Sequence, residues 1–377
     1  MLTTAQATEA IREAMPVFDS EAISLAVATG RVLRQSVRAE RDQPPFDRVT
    51  MDGIALRHAD FAAGQRSYPI QATQAAGDRA LVLNRGDCIE IMTGASLPEN
   101  ADCIVPVERI SIDDSAAVIE DGYEAQHRQF IHACGSDHTK DAHLLTPGAL
   151  ITPMDIAVIA SAGLAEVEVG RLPKTRVIST GNELVPAGEP IEAHQVRMSN
   201  GPALVSMLET HGYVDSRHDH IVDDPDILKS RIAEHLAEAD VLVLSGGVSM
   251  GKADFIPQVL ADIGVEPVFH KISQRPGKPM WFGTGPDQQA VFALPGNPVS
   301  ALVCCRQYVV PALNRASGRR ASNPEFAALA QDVQFKPELT CFMPIRLISN
   351  TAGQLLAMPV KTNTSGDFAA LSGSDGY

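Results

Sequence analysis

The chain has 377 residues, more than one ordinary compact core holds, so two to four domains are expected. Hydrophobic residues at 45% and charged residues at 20% are the balance of a water-soluble globular protein, and no apolar run approaches the ~20 residues of a membrane span. A net charge of −15 argues against general nucleic-acid binding, and it means that an anionic ligand needs positive charge gathered locally.

At the N-terminus Ala7, Ala10, Ile11, Ala14 and Met15 fall at helical spacing. This start lacks the basic residues and apolar core of a signal peptide, so a cytoplasmic protein is expected. Residues 1–40 read as helical. Residues 41–170 are rich in Gly, Pro and short β-prone runs (103–107, 117–119, 163–169), which predicts a mainly β region. Pro153 suits the first turn of a short helix ending near Gly163.

Residues 174–315 alternate differently. The pattern predicts strands at 175–179, 241–244, 265–270 and 291–294, and helices at 201–211, 225–239 and 299–313, with Asp223 or Asp224 as an N-cap. Such alternation predicts parallel strands with helices on both faces. After residue 320, runs at 327–335, 342–348 and 355–359 predict a small β domain. Cys88, Cys103, Cys134, Cys304, Cys305 and Cys341 form no C-x-x-C pair, so neither a disulfide framework nor a zinc site is expected. Cys304 and Cys305 lie in an apolar helical stretch and read as core.

Ligands of a parallel α/β sheet bind at the carboxyl ends of the strands. The first loop there, residues 179–184, offers Thr180, a flexible Gly181 and the carboxylate of Glu183; a polar turn explains it equally well. The second, residues 245–254, joins Ser245, Gly246, Gly247, Ser249 and Asp254. Adjacent glycines let backbone N–H groups approach an anion, and Asp254 is placed to hold Mg²⁺. The third, Pro295, Gly296, Asn297 and Pro298, is explained by helix capping alone, yet it also sets a helix N-terminus at the same edge. Between the second and third lies Arg275-Pro276-Gly277-Lys278-Pro279. Two prolines and a glycine stiffen a segment with two cations, which suits an oxyanion, although a charged surface turn has the same composition. The residues alone thus point to a phosphorylated ligand, Mg²⁺ and a second anion.

At these residues the sequence resembles the molybdopterin molybdenumtransferases, the MoeA family that includes the E domains of gephyrin and the plant molybdenum insertases. Residues 45–55 (PFDRVTMDGIA) and 91–98 (IMTGASLP, followed by Ala101-Asp102) are similar to further family segments, so all these motifs match in order. The resemblance implies a multidomain α/β plus β fold. Its parts are a discontinuous helical linker (1–40 and 146–172), a β-rich domain (41–145), a molybdopterin-binding α/β domain (173–318) and a small C-terminal β-barrel (319–377). It implies Mg²⁺-dependent insertion of molybdate into adenylated molybdopterin with release of AMP, carried out by a homodimer. The molybdopterin adenylyltransferase and molybdoenzyme acceptors would be its partners. Asp52, Asp137, Asp254 and Lys278 would be catalytic, with Asp52 reaching across the dimer. Arg275, Lys278, Ser300, Arg346 and Ser365 would contact molybdate. Thr93, Thr180, Gly181, Ser245, Gly246, Gly247, Ser249, Pro295, Gly296 and Asn297 would bind pterin and phosphate, and Glu183 and Asp254 the metal.

Four features depart from the family pattern. His132 stands where arginine is usual, Asp141 where glycine is usual, and Asn182 where many members have aspartate. The chain also ends at Asp375-Gly376-Tyr377, where a last strand is expected. A non-catalytic pterin-binding scaffold and a nucleotide pyrophosphatase are the rival readings.

Overall fold

A computed structural model describes residues 1–248, 255–321, 323–361 and 366–377. Its α/β region is built on six strands: β1 (Thr175–Thr180), β2 (Ser216–Ile221), β3 (Val241–Ser245), β4 (Glu266–His270), β5 (Trp281–Thr284) and β6 (Ala290–Leu294). They form one sheet in the order β2-β1-β3-β6-β5-β4. β2, β1, β3 and β6 run parallel, whereas β5 pairs antiparallel with both β6 and β4. The sheet is therefore mixed, which corrects the all-parallel expectation. No helix separates β4 from β5, and without a crossover the chain returns antiparallel. The connection it uses is the segment carrying Arg275 and Lys278. Two reversals leave β4 parallel to β6, so this segment emerges at the same sheet edge as the loops after β1, β3 and β6.

The run Val241 to Leu244 is buried on both faces. Val241 and Val243 share a core with Leu204 and Leu208, with Ala7 and Ile11 from helix α1 (Thr4–Ala14) and with Met15 just after it. Helix α2 (Asn200–Thr210) supplies the two leucines. On the other face Leu242 and Leu244 meet Leu228, Ile232 and Leu236 of helix α3 (Pro225–Glu238) and Val259 and Leu260 of helix α4 (Ile256–Asp262). Each fully buried side chain of this kind contributes about 1.5–3 kcal/mol. Two caps behave as their residue types require. Thr3 and Gln6 form a capping box on α1, and the Asp224 carboxylate accepts from the Asp226 and Ile227 N–H groups at 3.0 Å.

The helix expected over 299–313 begins one residue earlier and is not uniform. Helix α5 (Pro298–Cys304) runs into a π-helical turn, Cys305–Val309, and then into Val310–Ala316. Cys304 and Cys305 are fully buried. Toward the C-terminus Ala328–Leu329, Leu355–Pro359 and Ile345–Ser349 pair in that order, and Gly376 bridges Ile345. Among the described residues these three strands form one sheet. A separate two-residue strand, Thr340–Cys341, pairs with Gln274–Arg275.

The chain divides into two compact units. One holds Met1–Gln35, Pro147–Thr152 and Glu166–Tyr377, and within it Ser20–Ser24 pairs with Glu166–Gly170. The other holds Ser36–Thr146 and Pro153–Ala165. The second unit is β-rich: its sheet runs Cys103–Pro106, Gly53–Leu56, Cys88–Ile91, Ser67–Gln74, Ala116–Ile119, Ile110–Asp113. Ile54 and Leu56 point to one core and Ala55 to another, the period-two signature of a strand buried on both sides. The helix that Pro153 opens spans Pro153–Ser161. No helix among the described residues is long and apolar enough to cross a membrane.

Candidate functional site

The loops after β1, β3 and β6 and the first turn of α2 line one cavity of about 780 Å³. Thr180, Glu183, Ser245, Gly246, Gly247, Pro295, Gly296 and Asn297 all border it. Gly181 lies beside them, and a side chain there would meet the Glu183 carboxylate at 2.6 Å.

The two glycines after β3 have physical reasons. Gly246 has φ +106° and Gly247 φ +64°. A Cβ on Gly246 would stand 2.8 Å from the Thr180 carbonyl, and one on Gly247 would stand 2.6 Å from Ile256 Cγ1. Only glycine fits both the dihedrals and the space. The Gly246 N–H donates to Leu294 O at 3.3 Å and so ties the second loop to the third. That leaves Gly247 as the N–H donor of the pair.

Three residues at the cavity are not among the candidates the sequence pattern singles out. Asn200 opens α2, one residue before the predicted start, and its Nδ2 donates to Ser245 Oγ at 2.9 Å and Gly296 O at 2.7 Å. It therefore clamps two of the loops together. Arg197 Nη1 donates to the Pro186 and Glu189 carbonyls at 2.8 and 2.7 Å, which holds the segment after Glu183. Phe368 lines the cavity from the C-terminal region. The Ser199-Asn200-Gly201 run just before a periodic stretch is the clue that could have found the first.

Asn182, the neutral replacement, is in use: its Oδ1 accepts from the Asp223 N–H at 3.0 Å. Asp223 joins Glu183 among the cavity's lining residues. No three His, Cys, Asp or Glu side chains gather as a metal cluster among the described residues. β2 supports the first loop from the side. His218 Nε2 pairs with Ser179 Oγ and His220 Nε2 with Gly181 O, both at 2.9 Å, and burial lowers the His218 pKa.

Pro279 borders the cavity, while Arg275 and Lys278 are exposed and lie outside its lining. Neither cation makes a side-chain ion pair among the described residues. Their backbone is held on both sides. Phe342 N–H donates to Arg275 O and Ile272 N–H to Lys278 O, each at 2.9 Å. Ser300 is only 4% exposed, buried in the first turn of α5, and Arg346 lies on an outer strand with its Nε donating to Gly373 O at 3.2 Å. Ser249, Asp254 and Ser365 lie outside the described residues.

In the β-rich unit two separate motifs meet. Asp52 Oδ1 accepts from the Thr93 N–H at 2.6 Å and from Thr93 Oγ1 at 2.7 Å. The Thr93 backbone bond, then its hydroxyl, holds the Asp52 pKa below the ordinary carboxylate value. Asp137 pairs with His132 Nε2 at 3.0 Å, and His132 Nδ1 lies 3.2 Å from Arg48 Nη2. The histidine thus stands between a carboxylate and an arginine, so the corner keeps a permanent cation. Asp141 has φ +64°, a conformation that favours glycine and that Asp tolerates better than most residues.

The chain matches the family described as MoeA N-terminal region (domain I and II) over residues 2–163, and that described as probable molybdopterin binding domain over residues 176–315. The molybdopterin molybdenumtransferase of Synechocystis sp. is 35% identical across 100% of this chain and 95% of its own length. That of Bacillus subtilis is 29% identical across 95% and 85%. The crystal structure of the molybdopterin biosynthesis MoeA protein from Pyrococcus horikosii superposes with a TM-score of 0.81 at 29% identity, covering 100% of this chain and 93% of that one.

Proposed function

The chain belongs to the molybdopterin molybdenumtransferase (MoeA) family, and on that premise we propose how its α/β cavity carries out the reaction. It is an enzyme of molybdenum cofactor biosynthesis, inserting molybdate into molybdopterin. The substrate in our reading is adenylated molybdopterin, and insertion releases AMP. The observation that carries this is the convergence of three strand-end loops on one cavity whose glycines leave no room for a side chain.

The phosphate groups sit against the Gly247 N–H and the first turn of α2, where unpaired backbone donors and the helix dipole favour an anion. Asn200 holds the Ser245 and Gly296 loops in register around them. The donor set suits a hard cation: carboxylates of Glu183 and Asp223 among hydroxyls and backbone oxygens, matching the one or two carboxylates that Mg²⁺ takes. Glu183, with Asp254, would hold Mg²⁺, which when bound neutralises charge on the phosphoanhydride. Arg275 and Lys278 hold molybdate, a tetrahedral dianion, at the same sheet edge. Asp52, kept ionised by Thr93, serves as a fixed acceptor.

The test is direct. Purified protein is mixed with adenylated molybdopterin, molybdate and Mg²⁺, and AMP and finished cofactor are followed. Molybdate-dependent release of both supports the reading. Binding without turnover selects the scaffold alternative, and molybdate-independent hydrolysis of other dinucleotides selects the pyrophosphatase. The homodimer belongs to the same proposal. If Asp52 serves a neighbouring subunit, a mixture of Asp52→Ala and Lys278→Ala chains shows more activity at limiting molybdate than the two variants give separately.

A further inference from the structure

Beneath the Arg275 and Lys278 backbone lies a buried polar group that the proposed reaction has not yet used. Gln274 is 0% exposed. Its Nε2 donates to Pro276 O at 3.0 Å and lies 3.5 Å from Cys304 Sγ, and its Oε1 accepts from the Tyr308 hydroxyl. Tyr308, 2% exposed, comes from the π-helical turn Cys305–Val309. Such turns often mark functional positions.

The loop rests directly on this group. Gly277 has φ +91°, and a Cβ there would stand 2.6 Å from Gln274 Nε2 and overlap Cys304 Sγ. Cys304, its thiol kept protonated by burial, donates to Gly277 O at 3.8 Å. The exposed Arg275 and Lys278 thus alternate with the buried Gln274 and Gly277. No backbone N–H among the described residues pairs with the Pro276 carbonyl, so the Gln274 amide is its support. Only a carboxamide meets both demands here. It donates to Pro276 O while accepting from Tyr308, whereas a buried glutamate would lose the donor and carry a charge.

We propose that Gln274 is a positioning residue for molybdate: its amide, locked by Tyr308, holds the backbone at Pro276 and Gly277 and so sets the separation of the Arg275 and Lys278 side chains. This rests on the reading that those two cations hold molybdate. The role is confined to one ligand, because Gln274 lies outside the lining of the cavity assigned to the pterin nucleotide.

The test compares Gln274→Met, Tyr308→Phe, their double variant and Arg275→Ala in the full chain. For each, the molybdate KM and kcat of AMP release are measured, with the Kd of adenylated molybdopterin in the absence of molybdate and the melting temperature. Gln274→Met is expected to raise the molybdate KM about tenfold, the scale of one buried hydrogen-bond partner lost. Its kcat and its pterin nucleotide Kd stay within about twofold. Tyr308→Phe raises KM about threefold alone and adds nothing to Gln274→Met, since the two act through one contact. Should Gln274→Met fail to fold, Tyr308→Phe decides. A lower melting temperature with unchanged KM, or equal changes in molybdate KM and pterin Kd, overturns the proposal. If Arg275→Ala raises KM and the Gln274 and Tyr308 variants do not, the positioning role alone falls. If Arg275→Ala leaves KM unchanged, the assignment of molybdate to this loop falls, and the positioning role with it.

Discussion

At Gly246 an added Cβ would stand 2.8 Å from a backbone carbonyl, whereas Asp52 in the β-rich unit hangs from Thr93 by bonds of 2.6 and 2.7 Å. The first kind of position is defined by what is missing, and the second by a side chain and its neighbours. In the α/β unit the candidate phosphate cavity is built from backbone, helix N-termini and close approach of loops. In the β-rich unit it is built from carboxylates whose partners can be exchanged, as the Arg48–His132–Asp137 chain illustrates. Backbone sites tolerate little substitution, and side-chain relays tolerate more. On this contrast His132 and Asp141, which depart from the pattern of the resembled family, should fall where change is tolerated.

The largest effect should therefore come from Gly246→Ala. It forces a residue with φ +106° and a Cβ 2.8 Å from the Thr180 carbonyl to move the loop. Strain and displacement of several kcal/mol lead us to expect a loss of about 100-fold in pterin nucleotide affinity, read by titration calorimetry. An affinity within twofold of the parent would break the contrast. Lys278→Ala comes next. It removes one exposed cation without backbone strain, so the molybdate requirement should rise about tenfold while pterin nucleotide affinity holds. Added salt should weaken the parent's molybdate response in the same direction, because exposed charges are screened. Equal loss of pterin and molybdate binding would remove Lys278 from its assigned role.

A smaller effect is expected in the β-rich unit. Thr93 holds the Asp52 pKa down, so Asp52 stays ionised to lower pH than a free carboxylate. By linkage its contribution is present above the unfolded pKa and disappears as pH falls through the depressed folded one. Thr93→Val keeps the backbone donor and removes the hydroxyl. The acidic limb of the kcat profile should move to higher pH, with about a threefold loss or less at neutral pH. An unmoved limb would show that Asp52 does not act as an ionised group.

Much of the α/β unit was legible because its strands are short and wholly apolar, as at Val241 to Leu244, and because Gly, Ser and Asn cluster at their ends. β2 was not. Its Ser216–Ile221 sequence is polar, since its two inner histidines hydrogen-bond to Ser179 and Gly181 instead of filling a core. β5 was missed because Trp281–Thr284 follows a Pro-rich loop with no helix to announce a strand. The side-chain clamps, Asn200 across two loops and Gln274 beneath a third, depend on contacts between residues far apart in sequence. Periodicity carries no trace of them. In the β-rich unit the existence of strands was readable, but the neighbours of Gly53–Leu56 lie some 35 to 50 positions away, beyond the reach of local pattern.

The smallest effect is expected from the reverse of the first substitution, Asp141→Gly. Asp141 sits at φ +64°, and its backbone is held by its own N–H to Ala39 O and by Arg38 Nη1 to its carbonyl, both at 2.9 Å. Glycine keeps both bonds. It relieves about 1 kcal/mol of left-handed strain and gives back about 0.5–1 kcal/mol through the freer unfolded chain. The two nearly cancel, so stability by urea unfolding should change by less than about 1 kcal/mol and activity by less than about twofold. If instead the variant loses several kcal/mol or most of its activity, the Asp141 carboxylate carries a function of its own. This corner would then be as intolerant of change as the loops around Gly246, and backbone and side-chain sites could no longer be told apart by their tolerance.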